Sequence, residues 1–269
     1  MQLAINYSKE ADRLVQDGSI HVDLFKCPDW PDMIQQASLH RPVAVHFPIN
    51  VGTPGDMDYD FDRIARLMQE TGTPYVNLHL APFSQDYPAV DPERPEPEQA
   101  KQVIENALQQ IMAFTQFIGP ERVIVENDPY RGRQGDILRT GAEPETMRYL
   151  LGETGCGLLL DIAHARISAH YLGVDEKAYL LDFPVDHLQE LHFAGLHNQD
   201  GRLEDHLPIL ETDWPVLDWV LEKIKSGAWA SPWMLAFEYG GVGRKFEYRS
   251  DPIPMAEQVP RLYRLVHPV

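Results

Sequence analysis

Short apolar and β-branched runs recur eight times along the chain, each followed by a longer stretch with helical spacing. This alternation restricts the fold more than any other feature. The runs are LAINYS (3–8), HVDLFKC (21–27), PVAVHFP (42–48), YVNLHLA (75–81), RVIVEND (122–128), GLLLDIA (157–163), LQELHFA (188–194) and WMLAFEY (233–239). Near-continuous apolar runs suit parallel strands covered on both faces. Between them, FDRIARLMQETG (61–72) gathers Ile64, Leu67 and Met68 on one face and stops at a glycine. EPEQAKQVIENALQQIMAFTQFIG (96–119) starts acidic and also stops at a glycine, while TDWPVLDWVLEKIKSG (212–227) opens on a Thr/Asp cap signal and closes on lysines and Gly227. Eight βα units in strict alternation predict a parallel (β/α)8 TIM barrel, one domain over residues 1–269. An open doubly wound sheet would carry a glycine-rich turn after its first strand, and NYSKEAD is not one.

The formal charge of −18 repels phosphate backbones and argues against a nucleic-acid binder. No apolar stretch approaches the roughly 20 residues of a membrane helix, and MQLAINYSKE reads as a strand and not as a signal peptide. The cytoplasm is the expected location. Cys27 and Cys156 form no close pair, so packed free thiols are expected and not a disulfide. The loop 82–99, with five prolines, follows the fourth run. In a barrel it lies at the catalytic face, as a wall over the site or as an extended surface connection.

The strand ends carry the chemistry. The third run offers His46, the fourth His79, the fifth Glu126 followed by Asn127, the sixth Asp161 and His164, and the seventh His192. Glu204, Asp205 and His206 follow in the next loop, and the eighth run offers Glu238. The first two runs offer only Asn6. A lone strand-end histidine is ordinarily structural, and Asp161 could simply cap the next helix. Such roles predict scatter, not a histidine or acid at the end of each strand from the third to the eighth. His, Asp and Glu are ligands of zinc, iron and manganese. Five histidines and four carboxylates exceed the roughly four to six ligands of one ion, which implies two or three divalent ions.

At these residues the sequence resembles the xylose isomerase-like barrel superfamily, and within it endonuclease IV and the related multinuclear non-haem iron oxidases. Endonuclease IV holds three zinc ions with donors in the order His, His, Glu, Asp, His, His, Asp, His, Glu. This chain supplies His46, His79, Glu126, Asp161, His164, His192, Glu204, His206 and Glu238 in that order. VNLHLAPFS, VIVENDPYRGRQGD, LLLDIAH and GRLEDH resemble the corresponding segments, so the likeness spans about residues 42–240. Two departures stand out. Glu204 takes the place of an aspartate, with Asp205 directly beside His206. HFPINVG is shorter than the DNA-reading loop and lacks its tyrosine.

The resemblance implies a metal-dependent enzyme in which Glu126 and Glu238 bridge or orient. Hydrolysis of a phosphoester-type or other small anionic substrate is the leading expectation. Sugar isomerisation or epimerisation, iron-dependent oxidation and a non-enzymatic ligand-binding barrel are the alternatives. Arg131, Arg133, Arg244, Lys245 and His197 follow strand ends and are candidate contacts to such a substrate.

Overall fold

The structure is a computed structural model describing residues 1–55, 58–242 and 249–268. The chain divides into two compact units, Met1–His46 with Leu67–Thr73 and Glu190–Val269, and Phe47–Arg66 with Pro74–Gln189. Its strands are β1 (Gln2–Asn6), β2 (Leu24–Pro28), β3 (Val43–His46), β4 (Asn50–Val51), β5 (Val76–Leu80) and β6 (Val123–Asn127), then β7 (Gly157–Asp161), β8 (Leu188–Phe193), β9 (Gly195–Gln199), β10 (Arg202–Leu207) and β11 (Met234–Phe237). All eight runs read from the sequence contain a strand. The second begins later than expected, at Leu24.

In the first unit the parallel order is β3-β2-β1-β11-β8. Leu3, Ala4 and Ile5 are all fully buried, as a strand covered on both faces requires. One face packs Ala4, Leu24, Ala44, Met234 and Ala236 together, with Trp233 against them. Small residues dominate this layer and let the strands' inner faces approach closely. Side chains alternate along a strand, so Lys26 follows Leu24 on that same face, two residues nearer the C-terminal end. Glu238 follows Ala236 in the same way. An antiparallel hairpin, β9–β10, completes this unit, and its register slips between Glu204 and Leu207. The sequence alone predicts a loop here.

In the second unit the order is β7-β6-β5-β4, again parallel. The helix Pro97–Ile118 covers it, opened by a reciprocal capping box between Glu96 and Gln99 and closed at Gly119, whose φ is 89°. Phe114 is fully buried and meets the rings of Tyr59 and Phe61 at 4.6 and 5.0 Å. The proline-rich loop is pinned along its length. Ser84 N donates to Asp136 O at 2.7 Å, Leu138 N to Pro82 O at 2.9 Å and Arg139 N to Pro92 O at 2.9 Å.

Helix Trp214–Lys225 lies where the apolar spacing places it, but the expected Asp cap does not form. The Asp213 carboxylate instead accepts from Leu210 N at 2.8 Å and Leu196 N at 3.3 Å, fixing the segment that leads into the helix.

Candidate metal centre

The second unit gathers Glu126, Asp161 and His164, all buried, each offering one ligand atom within 4.8 Å of the others. Local structure fixes all three. Asp161 ends β7 and caps helix Ile162–Leu172, accepting from His164 N at 2.8 Å through Oδ1. The capping role weighed from the sequence is therefore real, and it uses Oδ1. Asn127 holds Asp161 from β6: its Oδ1 accepts from Asp161 N at 2.8 Å and its Nδ2 donates to Asp161 O at 3.0 Å.

His164 Nδ1 lies 2.8 Å from Asn127 O, which marks Nδ1 as the protonated nitrogen and leaves Nε2 with a lone pair. That Nε2 lies 3.8 Å from Asp161 Oδ2, and Glu126 Oε1 lies 4.0 Å from Nδ1. His79 pairs with Glu126 in the β5–β6 register. Its Nδ1 lies 3.2 Å from Asp128 and 3.4 Å from Glu126 Oε2. Burial disfavours the charged imidazole of His79, but Glu126 and Asp128 outweigh it and raise its proton affinity above the ordinary histidine value. Two buried carboxylates converging with an imidazole lone pair form a set of donors that a divalent ion can take. The 3.8 Å between His164 Nε2 and Asp161 Oδ2 fits two bonds of about 2.0–2.2 Å to one ion.

The first unit is organised differently, because it contains its own cation. Lys26, on β2 and buried, pairs with Glu238 Oε1 and lies 3.5 Å from His192 Nδ1. His192 Nδ1 is itself 3.2 Å from Glu238 Oε1, and its Nε2 is 2.8 Å from Glu190. Glu190 also accepts from Trp233 Nε1 at 3.0 Å. Burial would raise the Glu238 carboxyl. Lys26, His192, His206 and His46 together overcome it and hold the group well below the usual carboxylate range.

His206 Nδ1 lies 3.1 Å from Glu238 O and 3.7 Å from its Oε2. His206 has φ of 55°, unusual for a residue other than glycine, inside the irregularity of β10. The kink separates the roles of its neighbours. Glu204 is bound by Arg202 Nε at 2.8 Å and is 33% exposed, whereas Asp205 is 10% exposed with Oδ2 4.0 Å from His206 Nε2. His46 ends β3, with its ring centroid 5.4 Å from that of His192.

The expected substrate contacts fare unevenly. Arg133 is exposed and clamps the proline-rich loop, with Asp91 at 2.8 Å and Glu93 at 3.0 Å. His197 Nε2 lies 2.7 Å from Pro208 O. Arg131 precedes the short turn Gly132–Gln134. Arg244 and Lys245 lie outside the described residues. The sequence reading missed Lys26 and Glu190. Both left a signal, since a lysine in LFKCP and a glutamate in LQELHF are charges inside strands expected to be buried.

Residues 24–232 match the family described as "RiPP precursor modification enzyme MbnB/TglH/ChrH". A UPF0276 protein of Acaryochloris marina is 28% identical over 71% of this chain and 69% of its own. One of Rhizobium meliloti is 30% identical over 66% of this chain, which spans 57% of that relative. One of Rhizorhabdus wittichii is 27% identical over 86% of this chain and 77% of its own. Among solved structures, a D-psicose 3-epimerase obtained in the presence of D-fructose matches with a TM-score of 0.60 at 11% identity, over 99% of both chains. The 3-keto-D-glucoside 4-epimerase of E. coli matches with a TM-score of 0.57 at 14% identity, over 98% of this chain and 99% of that one. At such identities the likeness is one of fold. It gives an α/β fold of the TIM-barrel type, and it agrees with the xylose isomerase-like resemblance carried by the strand-end residues.

Proposed function

The chain belongs to the RiPP precursor modification enzymes of the MbnB/TglH/ChrH family, and we propose that it modifies a precursor peptide at a multinuclear metal centre. The observation that carries this reading is the buried set Glu126, Asp161 and His164, whose donor atoms lie within 4.8 Å of one another. The proposed ligands are those of the strand-end order: His46, His79, Glu126, Asp161, His164, His192, His206 and Glu238. Asp205 takes the acidic position beside His206, because Glu204 is held by Arg202. A closed one-domain (β/α)8 barrel, which brings strand ends to one rim, is part of the proposal. Likeness to epimerase structures along the chain supports it.

When bound, divalent ions in such a donor set supply Lewis acidity or, with iron, redox chemistry. The chain's own residues provide the rest. Asn127 orients Asp161 and His164, and Asp128 orients His79. A cavity of about 450 Å³ lined by Tyr7, Lys9, Trp30, Met33 and Val242 offers an aromatic wall for a peptide side chain. Arg131 contacts a substrate carboxylate in this reading.

A second reading is hydrolysis of a phosphoester-type or other small anionic substrate, favoured by the order of nine donors. Mass spectrometry separates the two. Protein loaded with iron(II), zinc or manganese is incubated with synthetic candidate precursor peptides. The proposal predicts a metal-dependent mass change of the peptide that is absent in His164→Ala. An unchanged peptide, together with cleavage of a model phosphodiester, would refute it in favour of hydrolysis.

A further inference from the structure

We propose that the cavity beside Trp30 is a specificity pocket for an aromatic side chain of the peptide substrate, stacked on the indole, with the Tyr7 hydroxyl bonding to the same residue. The proposal rests on the peptide-modifying reading above and names what that site selects.

The cavity measures about 450 Å³ and lies within the first unit, at the C-terminal ends of three neighbouring strands. Tyr7 directly follows β1, Trp30 follows β2 by two residues and Val242 follows β11 by five. The ends of β1 and β2 contribute nothing to the proposed metal set, so their loops serve the substrate instead. Tyr7, Lys9 and Val242 fall outside residues 24–232, so the family match does not assign this pocket. In register Pro28 pairs with His46, a proposed donor. Trp30 therefore leaves the sheet about one strand spacing, roughly 4.8 Å, to the side of His46 and two residues further along its chain. An extended peptide advances about 3.3 Å per residue, which puts the selected residue about two to four positions from the one at the metal.

Two lining residues point to a ligand independently. Trp30 is 48% exposed, the most exposed tryptophan, tyrosine or phenylalanine among the described residues. Pro31 opens the helix Pro31–Ala37 and holds the residue before it extended. Trp30 has φ of −97° and ψ of 113°, so its backbone is set before any ligand arrives. Tyr7 is 5% exposed, with its ring edge-on to Phe25 at 5.2 Å, yet its hydroxyl bonds to no group among the described residues. Burial raises its pKa, so the hydroxyl keeps its proton and can donate. A buried tyrosine hydroxyl ordinarily has a partner, and a ligand in the cavity supplies it. Met33 and Val242 complete the apolar lining, while exposed Lys9 and Asp32 bring opposite charges to the rim. Those charges offset one another, so the pocket suits an uncharged aromatic ring better than an acidic or basic side chain.

The probes are two capped pentapeptides, Ac-Ala-Ala-Phe-Ala-Ala-NH2 and its all-alanine counterpart. Each is titrated, with zinc present, into the full chain labelled with fluorotryptophan and followed by fluorine NMR. The signal lost in Trp30→Ala assigns Trp30. The phenylalanine peptide is expected to shift that signal saturably, and the all-alanine peptide to bind about tenfold more weakly or worse. Tyr7→Phe is expected to weaken the phenylalanine peptide about two- to tenfold, the worth of one hydrogen bond. An unmoved Trp30 signal, equal affinity for the two peptides, or a folded Tyr7→Phe that binds like wild type would overturn the proposal, and the wild-type titration decides it even where a variant does not fold. Modification is read separately, by mass spectrometry of synthetic candidate precursor peptides with metal. Peptides modified equally well with and without an aromatic residue sink this inference and leave the proposed function standing. Aromatic-selective binding at Trp30 with no peptide modified under any metal keeps the pocket and defeats the proposed function.

Discussion

Replacing Glu190 by glutamine tests the polar network behind His192 without changing its volume. Both groups that meet the Glu190 carboxylate are donors: His192 Nε2 at 2.8 Å and Trp233 Nε1 at 3.0 Å. A carboxylate accepts from both. An amide has one accepting oxygen, so its NH2 must face one of the two donors. Glu190 is 6% exposed and His192 is fully buried, so water does not rescue the mismatch. One buried donor left unsatisfied costs about 1–3 kcal/mol. For a chain of this size that is a fall in Tm of roughly 2–10 °C.

The assay is thermal and urea unfolding of metal-free wild type, Glu190→Gln, Trp233→Phe and the double variant. Removing the indole N–H gives the amide nitrogen no donor to oppose. The Glu190→Gln cost should therefore shrink by at least about 1 kcal/mol in the Trp233→Phe background. A Glu190→Gln protein within about 0.5 kcal/mol of wild type, or an equal cost in both backgrounds, would refute the reasoning.

Two further outcomes follow from local geometry. Burial pushes the Cys27 thiol up to about 12 and the Cys156 thiol up to about 11. Thiolate is the reactive form, so neither cysteine should react with a thiol reagent at pH 7–9 in folded protein, while both should react in denaturant. Fast native-state labelling would show an open thiol. Gly195→Ala would place its Cβ 1.9 Å from Pro208 O and 2.7 Å from Leu207 O, backbone atoms that cannot rotate away. The β9–β10 hairpin must shift, at a cost of about 1–3 kcal/mol or more. This is checked by thermal melting and by faster proteolysis within residues 195–207, and an unchanged melting curve would count against it.

The strands were legible because each is buried on both faces, which writes an apolar run into the sequence. The helices Phe61–Thr71 and Pro97–Ile118 were legible for the complementary reason, one apolar stripe closed by a glycine. Hairpin β9–β10 was not. Its residues are half-exposed and polar, and its irregular register at His206 depends on backbone geometry that no spacing encodes. Asp161 and His164 could be paired from sequence because they share a strand end and the first turn of a helix. Lys26 could not be assigned partners, because Glu238 and His192 lie 212 and 166 residues away. Glu190 is nearer to hand: two residues before His192, it lies on the same strand face, and only the geometry of the ring shows which nitrogen it takes.

The most direct test of the central claim is the metal content of protein purified without an affinity tag, measured by elemental analysis for wild type and for Asp161→Asn/His164→Ala. The account predicts at least two divalent ions per chain in the wild type and the loss of at least one in the variant, with folding preserved by circular dichroism. A wild type without bound metal, or a variant that keeps every ion, would contradict it.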